Sequence, residues 1–295
     1  MIGRVVKGIG GFYFVHDGEH AVMGKARGNL KRNKELIYVG DIVDYDIDAN
    51  DSDDECVINR VIERRNFLTR PPVSNLDMLV VVFSLRHPAV NYPVIDKLLA
   101  GAEKNGIKPV ICVSKPDLVS SDELAECRGI YRDIYPVLSV NGNTGEGTEE
   151  LLEMIRGRSA ALAGPSGVGK STITNHILGD SVAAVATGEI SGKTRRGRHT
   201  TRHVEVFPLG GGTYLYDTPG FTSLDMDEIE AVRIRELLPE FRELNHRCRY
   251  ADCMHINEPE CAVKEALAAG RINRSRYDSY IMMTEEVKAW QKQRR

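Results

Sequence analysis

Little in this chain is extreme, and several things are scarce. Among 295 residues there is one tryptophan, aromatic side chains make up 6 %, and 39 basic against 42 acidic side chains leave a formal net charge of −3. No apolar run approaches the ~20 residues a membrane helix needs, because Leu79 to Phe83 is soon interrupted. Charged residues within Met1 to Lys7 do not suit a signal peptide. A cytoplasmic protein with no membrane partner is the expectation. No heptad or apolar stripe specifies association, which leaves a monomer as the expected state. Cys56, Cys112 and Cys127 are scattered, and a reducing compartment disfavours pairing them. The near-neutral total argues against nucleic acid as a partner, but the distribution argues the other way. Basic residues gather between Arg4 and Lys34, around Arg60 to Arg70, and again from Arg271 to Arg295, with an acidic run from Asp44 to Glu55 between the first two groups. Basic faces on separate modules can grip RNA phosphates. Ordinary solvated surface accounts for the same charges as readily.

What is present is a phosphate loop. Gly164-Pro165-Ser166-Gly167-Val168-Gly169-Lys170-Ser171 follows the apolar run Ala160 to Ala163 and precedes a helix-like stretch from Thr172 to Leu178. That is the strand, glycine loop and helix context the motif requires. Its glycines let backbone N–H groups turn inward around phosphates, and the helix start adds its positive end. Lys170 is expected to reach the outer phosphates, and Ser171 to bind Mg2+. Downstream, the strand-like Thr213 to Tyr216 ends in Asp217-Thr218-Pro219-Gly220. An aspartate there can hold Mg2+ through water, while Gly220 brings a backbone N–H to the terminal phosphate.

A base reader lies upstream of that loop. The buried-strand pattern Pro109 to Val113 delivers Ser114-Lys115-Pro116-Asp117, and the Asp117 carboxylate can accept two N–H donors from a guanine edge that adenine does not offer. A second strand, Tyr135 to Leu138, delivers Ser139-Val140-Asn141, whose backbone can donate to the guanine carbonyl. Each piece alone reads as a turn; together they point to GTP and GDP. A nucleotide kinase using the same loop would give Asp117 no purpose.

Short strands separated by glycine and charged turns fill residues 1–70, a pattern expected of a small OB-type β-barrel that binds RNA. Phe12, Tyr13 and Phe14 are candidates for base stacking, at least one of them for core packing. Residues 71–235 alternate apolar strands with helices, beginning with Leu79 to Phe83 and an amphipathic helix over Pro93 to Lys104, as expected of a parallel α/β domain. Residues 236–295 carry Cys248, Cys253, His255 and Cys261, four soft or borderline ligands within fourteen residues, suited to one closed, structural, tetrahedral Zn2+. This tail has few large apolar residues, and zinc can supply on the order of 10 kcal/mol of folding free energy. A basic helix or two is expected over Arg271 to Arg295, with Tyr277, Tyr280 and Trp290 spaced to pack or to stack.

The rotated order of base reader, phosphate loop and switch, with Gly197-Arg198-His199-Thr200-Thr201, Asp217-Thr218-Pro219-Gly220-Phe221 and the terminal Cys/His cluster, resembles the circularly permuted small-subunit GTPases of the RsgA/YjeQ family. The resemblance runs over essentially the whole chain. It implies a GTPase with an N-terminal OB barrel and a C-terminal zinc domain, acting on the small ribosomal subunit and its rRNA late in maturation. It also implies a catalytic role for His199. Many GTPases orient the attacking water with Gln just after the Asp-x-x-Gly turn, where this chain has Phe221. One of Thr200 and Thr201 is expected to meet Mg2+ when GTP is bound. Two positions depart from the family's pattern: Ser114 stands where Asn or Thr is usual, and Arg202 where a third Thr is common. Two functions follow from this pattern: hydrolysis that times departure from the subunit, or a GTP-gated rRNA-binding module in which occupancy alone matters.

Overall fold

The structure is a computed structural model and describes residues 1–28, 30, 36–47, 55–185, 204–218, 221–224 and 229–293, with the side chains of 180–185 left aside. In chain order the first strands are β1 (Ile2–Ile9), β2 (Phe12–His16), β3 (Ala21–Ala26), β4 (Ile42–Ile47) and β5 (Cys56–Val61), then the short pair β6 (Phe67–Thr69) and β7 (Pro72–Ser74). There follow β8 (Met78–Ser84), α1 (Tyr92–Lys104), β9 (Lys108–Ser114), α2 (Ser121–Tyr131), β10 (Val137–Val140) and α3 (Thr148–Ile155). Next come β11 (Ser159–Ala163), α4 (Lys170–Val185), β12 (Glu205–Gly210) and β13 (Thr213–Asp217). The chain ends with α5 (Pro239–Arg242), α6 (Ala262–Ala268) and α7 (Arg274–Gln293). Strands β10, β9 and β8 are neighbours in that order, as are β11, β13 and β12. Among the described residues no helix is long and apolar enough to cross a membrane.

The chain divides into two compact units, neither of them continuous in sequence. One comprises Met1–Leu79, Gly142–Leu162 and Lys170–Phe221. Here β1 to β5 close into a barrel of order β1-β2-β3-β5-β4, antiparallel except where β3 runs alongside β5. The five stretches that alternate or run apolar in the sequence, Gly3 to Val6, Phe12 to Val15, Ala21 to Met23, Asp41 to Tyr45 and Cys56 to Ile62, fall on β1 to β5 in that order. Val5, Val15, Val43, Tyr45, Cys56 and Ile58 fill the barrel, joined by Leu30. Tyr13 packs against this core, while the Lys25 ammonium lies 4.6 Å from the ring centre of Phe12. In the same unit β11 pairs in parallel with β13, and β12 in antiparallel with β13.

The other unit comprises Val80–Asn141, Ala163–Gly169 and Thr222–Arg295. Every residue of β8 is buried, which is why its sequence, Met-Leu-Val-Val-Val-Phe-Ser, shows no alternation. The Asn91 side chain caps α1 by accepting from the Val94 N–H, with Pro93 in the first turn. A reciprocal Ser120 and Glu123 capping box starts α2. The expected basic tail is one long helix, α7. It contributes Tyr280, Met283 and Val287 to an apolar cluster with Ile234, Leu238, Phe241, Val263 and Ala266. Ala100 of α1 belongs to the same cluster, so the tail does not build its core alone.

Candidate nucleotide site and metal centre

Parallel pairing sets where the functional loops emerge. In β9 and β10 the register pairs Cys112 with Leu138 and Ser114 with Val140, so the loop holding Asp117 and the turn holding Asn141 leave the sheet side by side. In β11 and β13 Ala161 pairs in parallel with Tyr216, the residue before Asp217. Ligands of open α/β sheets bind at such carboxyl ends.

The base-reading loop is bound directly to the phosphate loop. Ser114 Oγ lies 2.6 Å from the Val168 carbonyl and 3.1 Å from that of Phe83, so its proton has two acceptors and the nearer is in the phosphate loop. Its hydroxyl thereby braces the loop in place of the amide that Asn would supply. Lys115 Nζ donates to the carbonyls of Gly167, 2.8 Å away, and His87, 2.7 Å away. Lys115 adopts a left-handed backbone with φ 53°, which costs a non-glycine residue on the order of 1 kcal/mol. Asn141 Nδ2 donates to Asp117 Oδ1 at 2.9 Å and so orients a carboxylate that is itself exposed. Arg128 donates to Ser139 Oγ, and Val140 is buried beneath the turn.

Gly164 opens the phosphate loop with φ 145°, and a Cβ there would sit 2.0 Å from the Val82 carbonyl oxygen. Only glycine lets the loop leave β11 at that distance. Pro165, Ser166, Gly167, Val168 and Gly169 continue the turn, with Val168 1 % exposed as its anchor. Lys170, Ser171 and Thr172 form the first turn of α4, the latter two exposed. Burial holds the Lys170 amine below its usual pKa, against the opposing pull of the Asp217 carboxylate. Phe221 is fully buried and offers no group to orient water. His199, Thr200, Thr201 and Gly220 lie outside the described residues.

Cys248, Cys253, His255 and Cys261 present four ligand atoms within 4.8 Å of one another. His255 Nδ1 is 3.6 Å from Cys248 Sγ and 3.3 Å from Cys261 Sγ, and those two sulfurs are 4.0 Å apart. Metal bonds of ~2.3 Å to sulfur and ~2.0 Å to nitrogen give a tetrahedron with edges of about 3.5–3.8 Å, so the donor set fits a zinc-sized ion. The opposite ring nitrogen, Nε2, is 2.9 Å from Asn245 Oδ1; donation there leaves the Nδ1 lone pair facing the sulfurs. Burial pushes the Cys253 thiol up to about 12 and His255 down to about 4, so both of these donors are held in their neutral forms without a cation. Arg235 donates to the carbonyls of Cys253 and Ala251, while Tyr277 and Tyr280 donate to those of His255 and Met254. The two tyrosines therefore pack on the metal loop. The sequence pattern did not single out Asn245, which has no ligand spacing to mark it.

A phosphate loop tied to a guanine-type base reader, with the reader first in the chain, defines a circularly permuted P-loop GTPase. The model for the RsgA GTPase family matches residues 61–227, and that for the RsgA N-terminal domain matches residues 2–54. The chain belongs to the RsgA GTPase family. It is 42 % identical to the small ribosomal subunit biogenesis GTPase RsgA of Caldanaerobacter subterraneus subsp. tengcongensis, over 99 % of this chain and 97 % of that one. The protein of the same name from Agathobacter rectalis is 40 % identical over 99 % of this chain and all of its own. Among solved structures, YjeQ from Thermotoga maritima matches with a TM-score of 0.83 at 35 % identity, covering 97 % of this chain and 98 % of that one. YloQ, described as a circularly permuted GTPase, matches with a TM-score of 0.79 at 31 % identity, covering 98 % and 95 %.

Proposed function

We propose that this GTPase binds the small ribosomal subunit, assists its late maturation, and leaves when subunit-stimulated hydrolysis is complete. The observation that carries the nucleotide half of this reading is the direct bonding of Ser114 and Lys115 to Val168 and Gly167. It brings the base-reading loop against the phosphate loop. Asp117, oriented by Asn141, accepts from the guanine edge, and the backbone of Ser139 to Asn141 donates to its carbonyl. Gly164 to Thr172 clasp the phosphates, with Lys170 on the outer ones. Ser171, Asp217 and one of Thr200 and Thr201 hold Mg2+, which neutralises charge on the phosphate oxygens when bound. With Phe221 buried and apolar, His199 takes the water-positioning role. Cys248, Cys253, His255 and Cys261 hold one structural Zn2+.

The relatives' shared name, small ribosomal subunit biogenesis GTPase, supports the partner. The basic residues of the barrel, and those at the end of the chain other than the buried Arg276, are suited to rRNA phosphates, and the protein acts as a cytoplasmic monomer. Its working parts are the barrel at 1–70, the permuted GTPase domain at 71–235 and the zinc domain at 236–295. Turnover with and without small subunits tests the reading: stimulation that persists in His199→Ala removes His199 from the mechanism. Equal release of the subunit with GTP and a nonhydrolysable analogue replaces timing by hydrolysis with gating by occupancy.

A further inference from the structure

β13 ends at Asp217, and its tyrosines at alternate positions, 214 and 216, share the strand face opposite to Leu215. Both are held by the barrel. Arg4 of β1 donates from Nη1 to Tyr216 Oη at 2.8 Å, with the carbonyls of Gly40 and Asn75 at 3.3 and 3.4 Å. The guanidinium carbon of Arg4 is 4.8 Å from the ring centre of Tyr214. Tyr216 Oη donates onward to the Ser74 carbonyl, and Tyr214 Oη meets His16 Nδ1 at 3.2 Å. Tyr216 is 1 % exposed and its hydroxyl is pushed up to about 12 by burial, so it stays a neutral donor. Gly40, with φ 95°, is what admits the ring: a Cβ there would lie 2.7 Å from Tyr216 Oη and 2.2 Å from the Ser74 carbonyl oxygen. A second pair, Lys7 with Glu205 at 2.7 Å, joins β1 instead to β12, the strand paired with β13, at a more exposed position.

We propose that Arg4 is a positioning residue for Asp217: by clamping Tyr216, the residue before it, Arg4 fixes where the end of β13 delivers the Asp217 carboxylate. A one-residue lever separates the clamped hydroxyl from the carboxylate. The barrel thereby sets the position of Asp217 within its own unit. This rests on the role given above to Asp217 and Gly220.

The test is the ratio of dissociation constants for GDP and a nonhydrolysable GTP analogue, measured calorimetrically on full-length, zinc-loaded protein. Arg4→Gln and Tyr216→Phe should each lower that ratio by about threefold or more, the worth of an ordinary hydrogen bond, with GDP affinity unchanged. Arg4→Lys should restore part of it, and Lys7→Gln should leave it at the wild-type value. A merely structural role would lower thermal stability without moving the ratio. Tyr216→Phe, which removes only a hydroxyl, serves if the arginine variants do not fold. Gly220→Ala is the control for the turn itself. If it lowers the ratio while Arg4→Gln and Tyr216→Phe do not, the clamp is refuted and the turn stands. If Gly220→Ala also leaves the ratio unchanged, the reading of the turn fails and the clamp with it.

Discussion

Arg276 is 1 % exposed, and its charge is answered by two carboxylates. Nη1 is 2.7 Å from Asp96 Oδ1, and Nε is 2.8 Å from Glu240 Oε1. Tyr131 also donates to Asp96 Oδ1, and the guanidinium lies within 6 Å of the Tyr131 and Tyr135 ring centres. The network fastens α7 to α1, and the two carboxylates hold Arg276 firmly protonated. In Arg276→Met the fully buried Asp96 keeps only hydroxyl partners, those of Tyr131 and Ser279. An unpaired buried charge costs about 3–5 kcal/mol. Protonation limits that loss: neutralising a carboxyl of pKa ~3.9 at pH 7 costs 1.36 kcal/mol per pH unit, about 4 kcal/mol in all. The sign follows from this. Burial already raises Asp96 against the pull of Arg276, and losing the guanidinium raises it further above its unfolded value, so the folded variant binds more protons and loses more stability than wild type as pH rises. Denaturant unfolding of the zinc-loaded protein should therefore show a deficit of roughly 3–4 kcal/mol near neutral pH, shrinking by about 2 kcal/mol between pH 7.5 and 6.0. Asp96→Asn introduced alongside Arg276→Met should recover part of the loss. A deficit under about 1 kcal/mol, or one independent of pH, would refute the reasoning, because it would mean that water reaches Asp96 at little cost.

Chelation should release one zinc per chain and unfold the C-terminal region, and Asn245→Ala should weaken zinc by about 10–100-fold through loss of the partner that fixes His255; competition with a chromophoric chelator measures both. Ser114→Ala should raise the GDP dissociation constant by roughly 5–20-fold, since the Val168 carbonyl loses its donor, and an unchanged constant would contradict the brace. Burial lowers the pKa of His16, so the unfolded state takes up the proton first as pH falls. Its contribution is complete above the unfolded value of ~6.5 and declines below it, so thermal midpoints recorded from pH 7.5 to 5.5 should fall less steeply in His16→Gln.

Local signals carried most of the site. Glycine spacing marked Gly164 to Ser171, strand ends marked Asp117 and Asp217, and ligand spacing marked Cys248 to Cys261, because each is set by contiguous residues. Alternation located the five barrel strands for the same reason. What depends on distant pairing was not legible. The parallel run of β3 beside β5, the hairpin of Phe67–Thr69 with Pro72–Ser74, and the seat of Tyr216 against Arg4 join residues that have no sequence relation. Arg276 read as one charge in a basic tail, yet it is among the most buried side chains, since the carboxylates that neutralise it lie 180 and 36 positions away. Ser114 read only as a departure from the family's pattern, and it is the position of the Val168 carbonyl that gives its hydroxyl a partner in the phosphate loop.

Calorimetric comparison of GTP with ATP tests the central claim most directly. Two charge-assisted hydrogen bonds from a guanine edge to Asp117 are worth about 1.5–3 kcal/mol each, so GTP should bind at least about a hundredfold more tightly, and Asp117→Asn should erase most of that margin. ATP held as tightly as GTP, or a guanine preference untouched in Asp117→Asn, would contradict the account.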